Sequence, residues 1–356
     1  MMRLFRRKAP YNDRSASGWP SSSAPLRLYF FSLVISDRIG PVEKKKTSVT
    51  RLFFEIVERP LRRSVSLRCH SSFKIGGKAD YFFAAGSPKD LESCLRFVHE
   101  HSLPFYVIGE GTNILFDDAG FRGLIIKNEV NGIDRRSKEG RVEVFSGTLL
   151  SDVVELALEE GFEGIEFAAG IPGTVGGAVF GNAGAFGKCI GDFLEEAVLL
   201  DKQGAEFRVK NDYFEFSYRY SSLKREHYPI LKAVFKLDKG DKQKIKALIE
   251  ENLEKRRARH PSCKMAYPGS YFKNPVLSDG TKMAAGSLLE KVAAKDLSVG
   301  GAAVYSGHAN FILNLGRAKA KDVLLLAQEL KSRVKKGFGI DLEEEVIYLP
   351  ADSSMP

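Results

Sequence analysis

Between Gly164 and Gly191 the chain carries nine glycines in 28 residues, set among alanines, a threonine and a proline. No other feature constrains the fold as much. Glycine costs roughly 0.5–1 kcal/mol relative to alanine inside regular structure, and such small side chains leave little apolar volume to bury. A segment of this kind is not held by packing alone. It must turn tightly and lie close against something flat or anionic, for which a large phosphorylated cofactor is the natural candidate.

The rest of the chain can supply the core that this segment lacks. Its 356 residues, 44% hydrophobic and 28% charged, have the composition of a soluble globular protein of two or three domains. The net charge of +9 favours anionic partners. Its basic residues are scattered, which predicts a solvated basic surface rather than a nucleic-acid groove. A non-catalytic binding protein for nucleotides or nucleic acid is the competing reading that draws on this charge and on the basic N-terminus. Cys69, Cys94, Cys189 and Cys263 form no Cys-x-x-Cys pair, and the six histidines show no ligand spacing. Neither a metal nor a disulfide framework is expected, and a reducing compartment is.

Residues 1–59 read as a basic, Ser/Arg-rich extension, disordered, with folded sequence starting near residue 60. Arg3, Arg6, Arg7, Lys8, Arg14 and Arg27 face a single acid, Asp13, over the first 36 positions. The apolar run Leu28–Ile35 is too short to span a bilayer, so no membrane partner is expected. An organelle transit peptide is the second reading of this start; otherwise the protein is expected in the cytoplasm.

Beyond residue 60, strands and helices alternate. Leu91, Leu95 and Val98 mark a helical face, Phe105–Ile108 a buried strand, and Ser151 the N-cap of a further helix. The charged stretch from Asp238 to Lys244 predicts a domain boundary. A helix with Ile245, Leu248, Ile249 and Leu253 on one face follows it. A last helix carries Val323, Leu326, Leu330 and Val334, and the chain closes on a strand over 342–349. The fold class is α+β with at least two lobes.

Several segments have the residue types for chemistry. The strand-to-turn loop Gly109-x-Gly111-Thr112-Asn113 can aim its amides at phosphate oxygens. With Gly170-Ile171-Pro172-Gly173-Thr174-Val175-Gly176-Gly177 it could clamp a pyrophosphate from two sides. Arg219, inside Tyr218-Arg219-Tyr220-Ser221, suits a carboxylate or phosphate, or else a surface salt bridge. Ser270 lies in a turn ahead of Tyr271-Phe272-Lys273-Asn274-Pro275, where most serines bond to their own backbone. His308 and Asn310 precede an apolar strand, with turn formation as the plain alternative. Of Glu343, Glu344 and Glu345, one should point inward if side chains alternate, and a buried carboxylate needs a partner.

In this order, Ile75-Gly76-Gly77-x-Ala79-Asp80, the two glycine loops, Tyr218-Arg219-x-Ser221, Gly269-Ser270-x-Phe272-Lys273-Asn274-Pro275, His308-Ala309-Asn310-Phe311-Ile312 and Glu345-Val346 resemble the UDP-N-acetylenolpyruvoylglucosamine reductase family, from about Ser71 to Leu349. The resemblance implies a two-lobed FAD-binding unit of the vanillyl-alcohol-oxidase type over 60–237. A C-terminal α+β substrate domain over 238–350 would follow, with its last strand returning to the active site. It implies reduction of UDP-N-acetylglucosamine enolpyruvate to UDP-N-acetylmuramate for peptidoglycan precursor synthesis, with FAD as cofactor and NADPH as hydride donor. By resemblance, Ser270 is the proton donor, Arg219 stabilises the enolate, and Glu345 is the active-site carboxylate. Gly109, Gly111, Thr112, Asn113, Gly170, Ile171, Pro172, Gly173, Thr174, Gly176 and Gly177 would bind FAD. Tyr218, Ser221, Lys273, Asn274, His308 and Asn310 would bind substrate. Two positions depart from the family: Glu344 stands where proline is usual, and Phe186 where tyrosine is. The short link from Tyr228 to His260 lacks the tyrosine-bearing insertion of one subclass.

Overall fold

Near-continuous apolar runs build a first sheet that can only be buried on both faces. In this computed structural model, which describes residues 48–134, 140–277 and 279–352, β1 (Arg62–Ser66), β2 (Lys78–Ala85), β3 (Phe105–Ile108) and β5 (Phe121–Asn128) pair in the order β1-β2-β5-β3. The β2-β5 and β3-β5 pairs are parallel and β1 adds antiparallel at the edge. Helix α2 (Pro88–Glu100) covers one face, started by Ser87, whose hydroxyl accepts from the Asp90 N–H at 3.2 Å. It buries Leu91, Leu95 and Val98, together with Cys94 and Phe97.

Folded structure begins earlier than the boundary at residue 60. Ser48 caps a helix α1 (Val49–Val57), whose Phe53 is fully buried edge-on against Phe83 and Phe97, at 5.0 and 4.9 Å between ring centroids. Phe53 and Val57, four residues apart, put one apolar stripe against α2 and the sheet. The stretch 48–59 therefore belongs to the first lobe. Positions 1–47 of the expected extension lie outside the described residues.

The second lobe is a five-stranded antiparallel sheet. Its strands β6 (Ile133–Asp134), β7 (Arg141–Phe145), β8 (Leu194–Leu200), β9 (Glu206–Lys210) and β10 (Ile230–Lys236) run in the order β9-β8-β10-β7-β6. Helices α3 (Leu150–Glu160) and α4 (Val175–Phe180) share its core. So does α5 (Lys242–Arg259), the helix expected to open the C-terminal domain. Its Ile249 and Leu253 pack on the second-lobe core, and its buried Asn252 donates to the Glu166 carbonyl at 3.1 Å. The charge run at 238–244 thus precedes a helix that docks backwards, and the chain leaves this lobe only near His260.

The C-terminal part sets α6 (Ala285–Lys291) and α7 (Ala320–Phe338) against a small antiparallel sheet of β11 (Ser298–Val299), β12 (Ala302–Val304) and β13 (Ile312–Asn314). Its core includes Phe73, Ile75 and Leu115 from the first lobe. Asp118 ties the two parts further, accepting from the Ala320 and Lys321 N–H groups at the start of α7 at 2.8 and 3.2 Å. The expected strand over 342–349 is shorter. Only β14 (Ile347–Leu349) is laddered, in parallel with β4 (Ile114–Phe116) of the first lobe. Residues 343–345 form an extended arm across 271–273, with an isolated bridge between Phe272 and Glu344. Among the described residues, no helix is long and apolar enough to cross a membrane, and no group of three His, Cys, Asp or Glu could hold a metal ion.

Candidate active site

The two glycine loops meet face to face. From the end of β3 the chain turns through Gly109–Asn113 into β4, and Gly170–Thr174 runs beside it into α4. Thr112 Oγ1 donates to the Pro172 carbonyl at 3.3 Å. A Cβ on Gly173, where φ is +120°, would sit 2.8 Å from Thr112 Oγ1, and one on Gly109 would strike Thr174 Oγ1. Threonine therefore lies over glycine in both directions, and no side chain fits at either position. The Gly173 carbonyl accepts from the Leu150 N–H at 2.9 Å. For that reason α3 starts after Leu149, with no side-chain cap, rather than after Ser151.

Not every predicted amide is available to a ligand. The Gly176 N–H donates to the Ser146 carbonyl at 2.8 Å, the Gly177 N–H to Thr174 Oγ1 at 3.3 Å, and the Ile171 N–H to the Ala168 carbonyl at 2.9 Å. The Asn113 side chain is also engaged, its Nδ2 donating to the Glu345 carbonyl at 3.0 Å. These residues hold the cradle in shape. Among the described residues, the N–H groups of Gly111, Thr112, Gly173 and Thr174 find no acceptor in the protein. Beside Gly170, the buried Arg256 Nε has no partner among the described residues, and a Cβ on Gly170 would lie 2.9 Å from Arg256 Cδ. Burial, and then the Arg219 guanidinium, push the Arg256 pKa down. A buried cationic donor left without an acceptor is costly, and an anion at this point removes that cost.

A cavity of about 720 Å³ opens beside the 109–113 loop, lined by Glu110, Gly132, Ile133, Thr148, Leu149 and Leu156 among others. Glu110 and Glu129 on its rim are both bridged by Lys127 at 3.0 Å. That rim disfavours phosphate, whereas the leucines suit a neutral ring. The free amides of the glycine loops therefore fit the phosphates of a dinucleotide such as FAD. The cavity was not predicted from sequence, because Gly132 and Gly147 stand singly there.

The second cluster centres on Arg219. Ser217 and Tyr220 exchange both backbone hydrogen bonds, at 3.2 and 3.1 Å, so Tyr218 and Arg219 form the tip of a two-residue hairpin. Arg219 is left-handed at φ +59°, a conformation costing roughly 1–2 kcal/mol for a residue with a Cβ. Its Nε donates to Glu345 Oε1 at 2.5 Å, with side chains only 23% and 19% exposed. This is a sheltered pair, unlike a surface salt bridge. Lys224 Nζ donates to the Arg219 carbonyl at 2.7 Å. The Tyr218 ring has Lys282 Nζ 3.2 Å from its centroid, and its hydroxyl accepts from the Asn274 N–H at 3.2 Å. Burial, then Lys273, lowers the Lys224 pKa; burial, then Arg219, lowers that of Lys282. Lys224, Lys282 and Arg256 were all missed in the sequence, where each is one lysine or arginine among 54.

The third cluster is the strand-like run 270–274. Tyr271 N–H donates to the Asn310 carbonyl at 2.8 Å. The Asn310 side chain brackets Phe272, accepting from its N–H and donating to its carbonyl, both at 2.9 Å. His308 Nδ1 accepts from the Asn310 N–H at 3.1 Å. Asn310 is buried, and its side chain is engaged by the Phe272 backbone. Ser221 is likewise fully buried and donates to the Phe180 carbonyl at 2.7 Å. Asn274 Oδ1 accepts from the Ala285 N–H at 3.0 Å and opens α6.

On the other side of the run, Glu345 N–H donates to the Tyr271 carbonyl and Lys273 N–H to that of Glu343, both at 2.8 Å. Glu345 is thereby brought beside the residue that follows Ser270. Each of the three carboxylates has its own cation: Lys273 for Glu343, Lys331 for Glu344 at 2.9 Å, and Arg219 for Glu345. Ser270 itself is half-buried, and its hydroxyl makes no hydrogen bond among the described residues. Self-bonding in a turn is not what occupies it.

Comparison with known proteins agrees in both halves of the chain. Residues 79–210 match a family model described as an FAD binding domain. Residues 260–349 match one described as the C-terminal domain of UDP-N-acetylenolpyruvoylglucosamine reductase. A curated protein of that name from Clostridium botulinum is 36% identical over 82% of this chain and 94% of its own length. The crystal structure of UDP-N-acetylenolpyruvylglucosamine reductase from Thermus caldophilus superposes with a TM-score of 0.68 at 30% identity, covering 82% of this chain and 99% of that one. A VAO-type flavoprotein from Myceliophthora thermophila shares the fold alone, with a TM-score of 0.51 at 9% identity over 85% of this chain and 87% of its own.

Proposed function

The chain belongs to the UDP-N-acetylenolpyruvoylglucosamine reductase family, and from that premise we propose that it reduces UDP-N-acetylglucosamine enolpyruvate to UDP-N-acetylmuramate with NADPH. It is an FAD-binding oxidoreductase of mixed α+β, VAO-like fold. Bound between the glycine loops, FAD would supply hydride transfer from the nicotinamide to the enolpyruvyl double bond. Every other task falls to the protein. Gly111, Thr112, Gly173 and Thr174 offer amides to the cofactor phosphates, and Gly109 gives the close approach that those loops need. Gly170 and Pro172 complete that proposed cradle.

Hydride arrival at the terminal carbon leaves negative charge on the adjacent carbon and its carboxylate. Arg219 stabilises that charge, and Glu345 fixes the direction of the guanidinium. Ser270 gives a proton to the carbanionic carbon. An ordinary serine is a poor acid, so the donation depends on a strongly basic carbon and a held hydroxyl. Arg219, Lys273 and Lys282 outnumber Glu343 and Glu345, an excess of positive charge that suits a diphosphate and a carboxylate on one substrate. Tyr218, Lys273, Asn274 and His308 remain the candidate substrate contacts. The product feeds peptidoglycan precursor synthesis. Four unpaired cysteines favour the cytoplasm as the place of action.

One observation carries this reading: the sheltered Arg219–Glu345 pair lies beside an extended run whose serine hydroxyl has no partner among the described residues. The test is Ser270→Ala in the FAD-loaded enzyme, followed by stopped-flow absorbance of the flavin. Reduction by NADPH should stay within about threefold, while reoxidation by the enolpyruvyl sugar slows on the order of 10²–10⁴-fold. Equal slowing of both halves would remove the proton-donor role.

A further inference from the structure

We propose that Lys224 is the positioning residue for Arg219: its ammonium pins the Arg219 carbonyl and thereby fixes the turn from which the guanidinium meets Glu345. This rests on the reading above that Arg219 serves the developing enolate. The left-handed backbone at Arg219 needs something to hold it, because its Cβ crowds the following carbonyl. The paired bonds between Ser217 and Tyr220 close the hairpin, but they do not engage the Arg219 carbonyl. That carbonyl is taken by Lys224 Nζ at 2.7 Å.

The root of Lys224 is rigid. It sits on a single helical turn, Leu223–Glu226, behind a fully buried Leu223. The two serines before that turn are anchored as well, Ser221 to the Phe180 carbonyl at 2.7 Å and Ser222 to the Tyr213 carbonyl at 2.9 Å. Among the described residues Lys224 forms no ion pair, although Glu343 and Glu345 act on it through space. A sheltered ammonium that bonds a carbonyl in preference to a carboxylate is arranged to hold backbone. Fixing the Arg219 peptide aligns Nε with Glu345 and leaves the remaining guanidinium N–H groups for substrate.

The test is a double-mutant cycle in the FAD-loaded enzyme, with Lys224→Met, Arg219→Ala and the pair combined. Flavin reoxidation by the enolpyruvyl UDP-sugar is followed by stopped flow, and substrate Kd for the oxidised enzyme by the flavin difference spectrum. Lys224→Met should slow reoxidation at least about tenfold, with NADPH reduction and substrate Kd moving less than about threefold. In the Arg219→Ala background it should add nothing, and Lys224→Arg, which keeps a donor, should recover part of the rate.

If Lys224→Met weakens substrate binding as much as it slows reoxidation, and does so again without Arg219, Lys224 is a direct substrate contact and the proposal fails. If Arg219→Ala reoxidises at the normal rate, the assignment of Arg219 fails and takes this proposal with it. Unfolding midpoints are recorded for each variant. Should Lys224→Met fold poorly, Lys224→Leu, which also lacks a donor, carries the same cycle.

Discussion

Replacing Arg219 by lysine keeps the charge but removes Nε, the atom that donates to Glu345 at 2.5 Å. A lysine is a point charge on a flexible stem and cannot reproduce a planar fork. Steady-state kcat for the enolpyruvyl sugar should drop by roughly 10–100-fold; turnover near the parent value would show that charge alone suffices. The arginine was readable in sequence as a candidate, but its shelter was not, since burial depends on Glu345 arriving from far along the chain. Ser221 and Asn310 show the opposite limit. Their motif positions were legible, yet only packing reveals that both side chains are engaged by backbone. Lys224 and Arg256 left no local signal, because their importance lies in which carbonyl one meets and which anion the other lacks.

Among the elements, α1 is the clearest case of structure hidden by composition. It follows directly on a basic, serine-rich stretch, and its two buried residues, Phe53 and Val57, are too few to stand out as a periodic stripe. Phe53→Ala should destabilise the protein by about 3–5 kcal/mol, because the ring fills the space between Phe83 and Phe97. Urea unfolding of the FAD-loaded enzyme measures this; a loss below about 1 kcal/mol would mean that α1 is dispensable to the first lobe. Longer amphipathic helices were legible. Val323, Leu326, Leu330 and Val334 do form the buried stripe of α7. Of the expected face of α5, Ile245, Ile249 and Leu253 do pack inward while Leu248 is exposed, and the neighbour was not visible, since periodicity says that a helix docks and not where.

At the scale of the molecule, the passage from second lobe to C-terminal part runs through His260, just after α5. Its ring lies 4.9 Å from that of Phe311. Burial, with Arg256, His308 and Arg259 adding positive charge, lowers its pKa from 6.5 to about 4. The folded protein keeps this imidazole neutral, while the unfolded chain takes up a proton near pH 6.5. The contribution is therefore complete above pH 6.5 and is lost as pH falls from there towards 4. His260→Gln should flatten the decline of the urea midpoint between pH 7 and 5; an unchanged decline would place that sensitivity elsewhere. The α+β class and the paired glycine loops were legible because they are local patterns. The lobe to which residues 238–259 belong was not, because it is settled by contacts with Glu166 and the second-lobe core.

Glu345 reaches Arg219 across 126 positions of sequence, carried there by the arm that ends in β14. A ribosome releases the arginine, the serine and both glycine loops well before that carboxylate. A copy terminated ahead of the arm would lack both the Glu345 partner of Arg219 and the strand that ladders onto β4.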